Sequence, residues 1–194
     1  MKLPRIILAS ASPRRSELLK ELGLNFDVIP ADADEIAPVH LSPHEICLVN
    51  AHRKARVIAR ENPDALVIGA DTIVCLGQQI FGKPPNSTKA RRILEALSGK
   101  THEVVTGVCL MEIRARREKL FAVSTTVSFQ RLTPGRVREY VKSVNTLDKA
   151  GAYAIQEHGD MIIKKINGSH SNVVGLPLER LRKELGDWGY SELL

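Results

Sequence analysis

The chain predicts an α/β protein: a mixed central sheet with flanking helices. Three observations carry this expectation. Strand and helix signals alternate early in the chain. Strand signals then come in pairs through the middle, which argues for a mixed rather than purely parallel sheet. The 43% hydrophobic content is enough to build a proper core, although aromatic residues make up only 4%. A length of 194 residues suits one domain covering 1–194, or one carrying a small lobe.

The elements follow in order. Residues 5–9 hold the apolar run Ile6, Ile7, Leu8 and Ala9, the pattern of a short buried strand. A helix over 13–22 follows, with Ser12 at the N-cap, Pro13 at the first helical position, and Leu18, Leu19 and Leu22 at helical spacing. Strand signals come next at 26–30, then at 65–70 and 73–76, after an amphipathic helix over 43–61. A helix over 86–97 precedes two strands at 103–111 and 120–129. Between these two strands, the basic run Arg114, Arg116, Arg117 and Lys119 reads as a solvated hairpin tip, since charge runs are usually surface features. A helix over 133–142 leads into 143–173, rich in Gly, Asn, Asp and Lys. That segment reads as a functional loop region flanking a short strand near 161–166. The last helix, 177–186, sets Leu178, Leu181 and Leu185 on one face.

Bulk properties narrow the function classes. No apolar run approaches the roughly 20 residues that span a bilayer. The start, Met1-Lys2-Leu3-Pro4-Arg5, leads into only four apolar residues, too few for a signal-peptide core. Cys47, Cys75 and Cys109 are odd in number and lack zinc spacing, so they read as reduced thiols in a cytoplasmic protein. The formal charge of +6 suits either nucleic acid or a pocket for a highly charged small anion.

Chemistry concentrates in a few places. Arg14 and Arg15 fall in the first turn of the 13–22 helix, where free N–H groups already make the helix end positive. A bound polyanion resolves that conflict, held by the N–H groups, the Ser10 and Ser12 hydroxyls and two guanidinium groups. The run Gly69-Ala70-Asp71-Thr72 closes a buried strand on a carboxylate, the place where α/β sheets bind ligands. Asp71 there is a metal ligand, a general base or a turn cap. Asp32, Asp34 and Glu35 lie together after the second strand, and carboxylates from two strand ends can share one Mg²⁺. Lys83, between Gly82 and Pro84, is a fixed positive point for phosphate or part of a plain turn. Lys54 faces solvent by default. The Gln156 amide, donor and acceptor together, can read a base edge. Residues 168–178 form a second phosphate-binding turn or a helix-entry loop. The six histidines show no metal spacing, and there is no P-loop. Together these features fit metal-assisted hydrolysis of a phosphoanhydride better than duplex binding.

At this point the chain resembles the Maf family of nucleoside triphosphate pyrophosphatases, also known as septum formation inhibitor proteins. The resemblance rests on Leu8-Ala9-Ser10-Ala11-Ser12-Pro13-Arg14-Arg15, Gly69-Ala70-Asp71-Thr72, Gly82-Lys83-Pro84 and Leu97-Ser98-Gly99-Lys100-Thr101-His102. It continues through Thr106-Gly107-Val108, Asp148-Lys149-Ala150-Gly151-Ala152-Tyr153-Ala154-Ile155-Gln156 and Asn172-Val173-Val174-Gly175-Leu176-Pro177-Leu178. It implies a fold related to inosine triphosphatases, two lobes with a cleft, and a homodimer. Asp71 looks like the family's proton acceptor. Arg15, Glu35, Lys54 and Lys83 look like its phosphate- and metal-handling positions, with Glu35 and Asp71 sharing Mg²⁺ or Mn²⁺. Arg14, Thr72 and Gln156 resemble the specificity positions of the dTTP/UTP-hydrolysing branch. Where the family often carries Glu-Pro before the Asp-Lys-Ala-Gly segment, this chain has Asn145-Thr146.

The resemblance therefore implies an enzyme that converts dTTP and UTP, or modified pyrimidine triphosphates, to the monophosphate and pyrophosphate. Asp71, Glu35 and Lys83 are its expected catalytic residues. The expected substrate-binding set is Ser10, Ser12, Arg14, Arg15, Lys54, Thr72 and Gln156. The alternative is a non-catalytic regulator of septum formation that binds nucleic acid or a division protein.

Overall fold

A computed structural model describes residues 4–190; the Met1–Leu3 part of the expected non-signal start and the last four residues lie outside the described residues. Among the described residues the strands form one seven-stranded mixed sheet. They are β1 (Ile6–Ala9), β2 (Asp27–Val28), β3 (Leu66–Leu76), β4 (Gln79–Phe81), β5 (Thr101–Glu112), β6 (Arg117–Phe129) and β7 (Ile163–Asn167). Their order is β2-β1-β3-β5-β6-β7, with β4 on β3. Strand β1 runs parallel to β2 and β3, whereas β4 on β3 and β7 on β6 are antiparallel. The helices are α1 (Pro13–Lys20), α2 (Pro43–Glu61), α3 (Ser87–Leu97), α4 (Pro134–Ser143), α5 (His170–Val174) and α6 (Leu178–Asp187). The expected mixed α/β class is therefore the observed one.

The chain divides into two units. The first comprises the described parts of Met1–Asp71, Thr106–Val123 and Gly175–Leu194. Its core packs Ile7, Ala51, Ala55, Ile58, Val67, Cys109 and Met111. The second comprises Thr72–Val105 and Ser124–Val174. It buries Val74, Phe81, Leu94, Leu97, Phe129, Tyr140 and Ile162 together.

In the first unit, α2 lies unusually close to the sheet. Its N-terminus is a capping box: the Ser42 hydroxyl accepts from the Glu45 N–H, and the Glu45 carboxylate accepts from the Ser42 N–H. The buried helix face is small, built of Cys47, Ala51 and Ala55, and it meets Gly107 on β5 and Gly69 on β3. A Cβ at Gly107 would stand 2.6 Å from the Cys47 carbonyl, and one at Gly69 would stand 2.8 Å from the Ala55 nitrogen. Only glycine fits at either position.

Several expectations need correction. Residues 65–70 and 73–76 are not two strands; β3 runs unbroken from Leu66 to Leu76. Asp71 thus sits inside a strand rather than at its carboxyl end. A charged residue survives there because its carboxylate is paired, which periodicity cannot show. Helix α1 does place Ser12 at the N-cap and Pro13 at its start, but the Ser12 hydroxyl makes no capping hydrogen bond. Strand β4 and helix α5 fall where no element was expected. Asn172 of α5 is fully buried and donates to the Val104 carbonyl and the Thr125 hydroxyl, so it ties α5 to the second unit's core.

The basic run is more than a solvated tip. Arg117 donates to Glu112 at 2.8 Å, to the Trp188 carbonyl at 3.1 Å and to the Tyr190 hydroxyl at 2.7 Å. Its guanidinium also lies 4.6 Å from the centroid of the Trp188 ring. It therefore anchors the segment after α6 against the start of β6.

Candidate active site

Four side chains converge in the first unit. Strand β3 presents Asp71, helix α2 presents Asn50 and Lys54 one turn apart, and the irregular segment after β2 presents Glu35. The Lys54 ammonium stands 2.7 Å from Asp71 Oδ1 and 2.7 Å from Glu35 Oε1. It is far from the solvent-facing default: its side chain is 12% exposed, against 7% for Asp71 and 52% for Glu35. Asp71 is thus a desolvated carboxylate balanced by one cation, and Glu35 keeps an open face. Removing one partner of such a pair would leave an uncompensated buried charge. Asp32 and Asp34 are exposed, and of the acidic trio Glu35 is the one bonded to Lys54.

Asn50 completes this centre. Its amide nitrogen donates to Asp71 Oδ2 at 3.2 Å and to the Ile36 carbonyl at 3.0 Å, while its amide oxygen accepts from the Ile36 N–H at 2.9 Å. One buried side chain therefore fixes Asp71 and the backbone next to Glu35 together. Sequence reasoning missed it. The available signal was a polar Asn inside an amphipathic helix, four residues before Lys54, where a plain helix would have no need of it.

The donor set suits a hard divalent ion. Among the described residues no group of three or more His, Cys, Asp or Glu side chains could hold a metal. Mg²⁺ needs no such cage, because it binds through one or two carboxylates and takes its remaining oxygens from water and phosphate. Glu35 and Asp71 already aim oxygens at one cationic point, occupied by the Lys54 ammonium.

The helix start expected to bind an anion lies in the same unit. Arg15 is half-buried, donating from Nε to the Gly175 carbonyl at 2.8 Å and from Nη1 to the Ser10 hydroxyl at 3.4 Å. The Ser10 hydroxyl also accepts from the Ser12 N–H at 3.2 Å. Burial lowers the Arg15 pKa below its ordinary value; the Asp71 and Glu35 charges oppose that shift, and Arg14 adds to it. Both carboxylates of the acidic centre therefore act on the Arg15 charge.

The remaining expected residues belong to the second unit. Thr72 follows Asp71 along β3 and is half-buried. Lys83 is exposed on the turn after β4, lining a cavity of about 250 Å³ with Phe81, Lys89 and Arg92. Gln156 is exposed at the end of its motif. The small residues of that motif do allow close approach. Gly151 adopts φ +72°, and a Cβ there would lie 2.9 Å from Val74. Its N–H donates to the Gly82 carbonyl at 3.3 Å, tying the Gln156 segment to the Lys83 turn.

A buried carboxylate and an exposed one that share a cation, in the same unit as a half-buried arginine, suit an α/β protein that handles phosphate groups with a hard metal. Comparison with known proteins gives the family. The chain belongs to the Maf family: the family model described as Maf-like protein matches residues 5–188. A dTTP/UTP pyrophosphatase of Akkermansia muciniphila is 45% identical over 188 residues, covering 97% of this chain and 98% of that protein. A dTTP/UTP pyrophosphatase of Carboxydothermus hydrogenoformans is 44% identical, covering 96% of this chain and all of its own length. A third, from Bacillus cereus, is 44% identical and covers 93% of this chain and 94% of its own.

Proposed function

We propose that this protein is a nucleoside triphosphate pyrophosphatase that hydrolyses dTTP and UTP to the monophosphate and pyrophosphate. The observation that carries the reading is the convergence of Asp71 and Glu35 on one cationic point, with Arg15 electrostatically coupled to both. Relatives of similar length named dTTP/UTP pyrophosphatase support it.

Asp71 accepts the proton of a water that attacks the α-phosphorus in line, while the bond to the β-phosphate bridging oxygen breaks and pyrophosphate leaves. Asn50 keeps the Asp71 carboxylate oriented during this step. Arg15, Lys54 and Lys83 balance the charge that develops on the phosphate oxygens. Ser10 and Ser12 add hydroxyls at the helix start. Glu35 and Asp71 would hold Mg²⁺ or Mn²⁺, which when bound neutralises the triphosphate and polarises its oxygens. Thr72 and Gln156 read the pyrimidine edge with Arg14, favouring a base that carries O4 over one that carries an amine. Modified pyrimidine triphosphates with the same edge fall in the same class.

A second copy of the chain and a cytoplasmic location complete the reading. The location is supported by three buried, free cysteines. The dimer predicts a solution mass near twice 21.4 kDa, measured by light scattering.

The central test is Asp71→Asn, assayed for pyrophosphate release from UTP with Mg²⁺ in excess. The turnover rate should fall on the order of 10²–10³-fold. Unchanged turnover would remove Asp71 from the chemistry. Salt-sensitive duplex binding with no hydrolysis of any nucleotide in a panel would favour the regulator instead.

A further inference from the structure

Lys149 is the buried lysine of the second unit. Its residue is 4% exposed, although lysine is almost never buried unless paired. Its ammonium has three oxygen partners, two as hydrogen bonds and the third as an ion pair. These are the Asn145 carbonyl at 2.6 Å, Asp148 Oδ1 at 3.0 Å and Glu157 Oε1 at 3.2 Å. The last partner is the immediate neighbour of Gln156. The first is the carbonyl of Asn145, four residues earlier in the chain, just after α4.

Other bonds lock the same segment. The Tyr140 hydroxyl accepts from the Ala154 N–H at 3.1 Å, and it faces the Ala154 carbonyl at 3.1 Å and the Glu157 carbonyl at 3.4 Å. Tyr153 pairs its hydroxyl with His102 Nε2 at 2.8 Å. Ala152 is held at φ +62°, a left-handed conformation that a non-glycine residue keeps only when its surroundings over-determine it. The Gly151 N–H reaches back to the Gly82 carbonyl, one residue before Lys83. Gln156, the exposed end of this segment, is therefore presented by a rigid frame whose one buried charge is Lys149.

We propose that Lys149 is a positioning residue for base selection: through Glu157 it fixes the amide of Gln156, and through the Gly151 clasp it couples that amide to the Lys83 turn. This rests on the reading of Gln156 as the base-reading side chain. Lys149 touches no reacting atom; it acts by holding a hydrogen-bonding group within the fraction of an ångström that recognition needs. Its loss should therefore blur discrimination between bases more than it slows chemistry on a bound nucleotide.

The experiment compares kcat/KM for UTP and CTP, with Mg²⁺, in the wild type, Gln156→Ala, Lys149→Met and Glu157→Gln, with a melting temperature for each. Glu157 is 43% exposed in its side chain, so Glu157→Gln keeps the fold even if Lys149→Met does not. Lys149→Met should cut the UTP-to-CTP preference by about ten- to a hundredfold, mainly through KM for UTP. Glu157→Gln should move the ratio the same way by a smaller factor. The two changes combined should be less than additive, because they break one contact. If the wild type turns over neither nucleotide, the pyrophosphatase reading fails. If Gln156→Ala leaves the ratio unchanged, the base-reading role fails and takes this inference with it. If Gln156→Ala collapses the ratio while Glu157→Gln and any folded Lys149→Met keep it, the positioning role of Lys149 alone is overturned.

Discussion

Asn50 is the residue on which the acidic centre turns. A single amide satisfies one Asp71 oxygen and both polar groups of the Ile36 backbone. Alanine at this position would take these partners from the buried Asp71 oxygen and the half-buried Ile36 backbone, at a cost of roughly 2 kcal/mol in stability. It would also leave Asp71 held by Lys54 through one oxygen alone, so kcat/KM for UTP should drop about ten- to a hundredfold. Steady-state kinetics beside a urea melt checks both effects. Wild-type kcat/KM in a folded Asn50→Ala protein would show that Asp71 is oriented by something else.

At the scale of elements, the centre exists because α2 can lie almost directly on the sheet. Gly69 and Gly107 remove the side chains that would otherwise hold the helix away. That closeness lets Asn50 and Lys54, one turn apart, reach a carboxylate that belongs to β3. Gly107→Ala should push α2 outward and destabilise the protein by roughly 1–3 kcal/mol. It should also lower activity at temperatures where the protein stays folded, because Lys54 and Asn50 move with the helix. Gly135→Ala in α4 is the control: a Cβ there meets nothing closer than 3.8 Å, and alanine suits a helix better than glycine. Thermal melts and UTP turnover of the two variants, measured together, should separate. Equal behaviour would mean that the helix tolerates the added methyl without shifting.

For the molecule as a whole, pH acts on stability through a buried imidazole. His102 on β5 stacks edge-on against Phe129 at 4.8 Å, and burial pushes its pKa down from 6.5 to about 4. Its folded-state pKa lies below its unfolded one, so between pH 6.5 and about 4 the unfolded chain binds the extra proton. Stability from this group is complete above pH 6.5 and is lost as pH falls toward 4, by up to roughly 3 kcal/mol. Urea midpoints at pH 7 and pH 4.5 should show this loss in the wild type and a smaller one in His102→Gln. An identical loss in both would assign the acid sensitivity to other groups.

Much of this was legible in the chain. The mixed sheet, the helix over 43–61 and the proline-started helix carrying two arginines all follow from local pattern, because each is fixed by neighbours in sequence. Asp71 and Glu35 were legible as acids, and motif order pointed to their family. The unbroken β3 was not legible: Asp71 and Thr72 interrupt the apolar run, and the partners that make a mid-strand carboxylate tolerable come from α2. Arg117 was misread for the same reason, since its Trp188 and Tyr190 contacts lie about 70 residues away in the chain.

By itself, then, the sequence determined the elements, their apolar faces and the inventory of charges, because propensity and periodicity act over a few residues. Which charges meet is settled by the fold. Lys54 turned from a surface lysine into the bridge between two carboxylates, Asn50 became their brace, and Lys149 was buried at the root of the Gln156 segment. Pairing of this kind depends on close approach between distant segments, and desolvation there gives each contact an energy that no local pattern records.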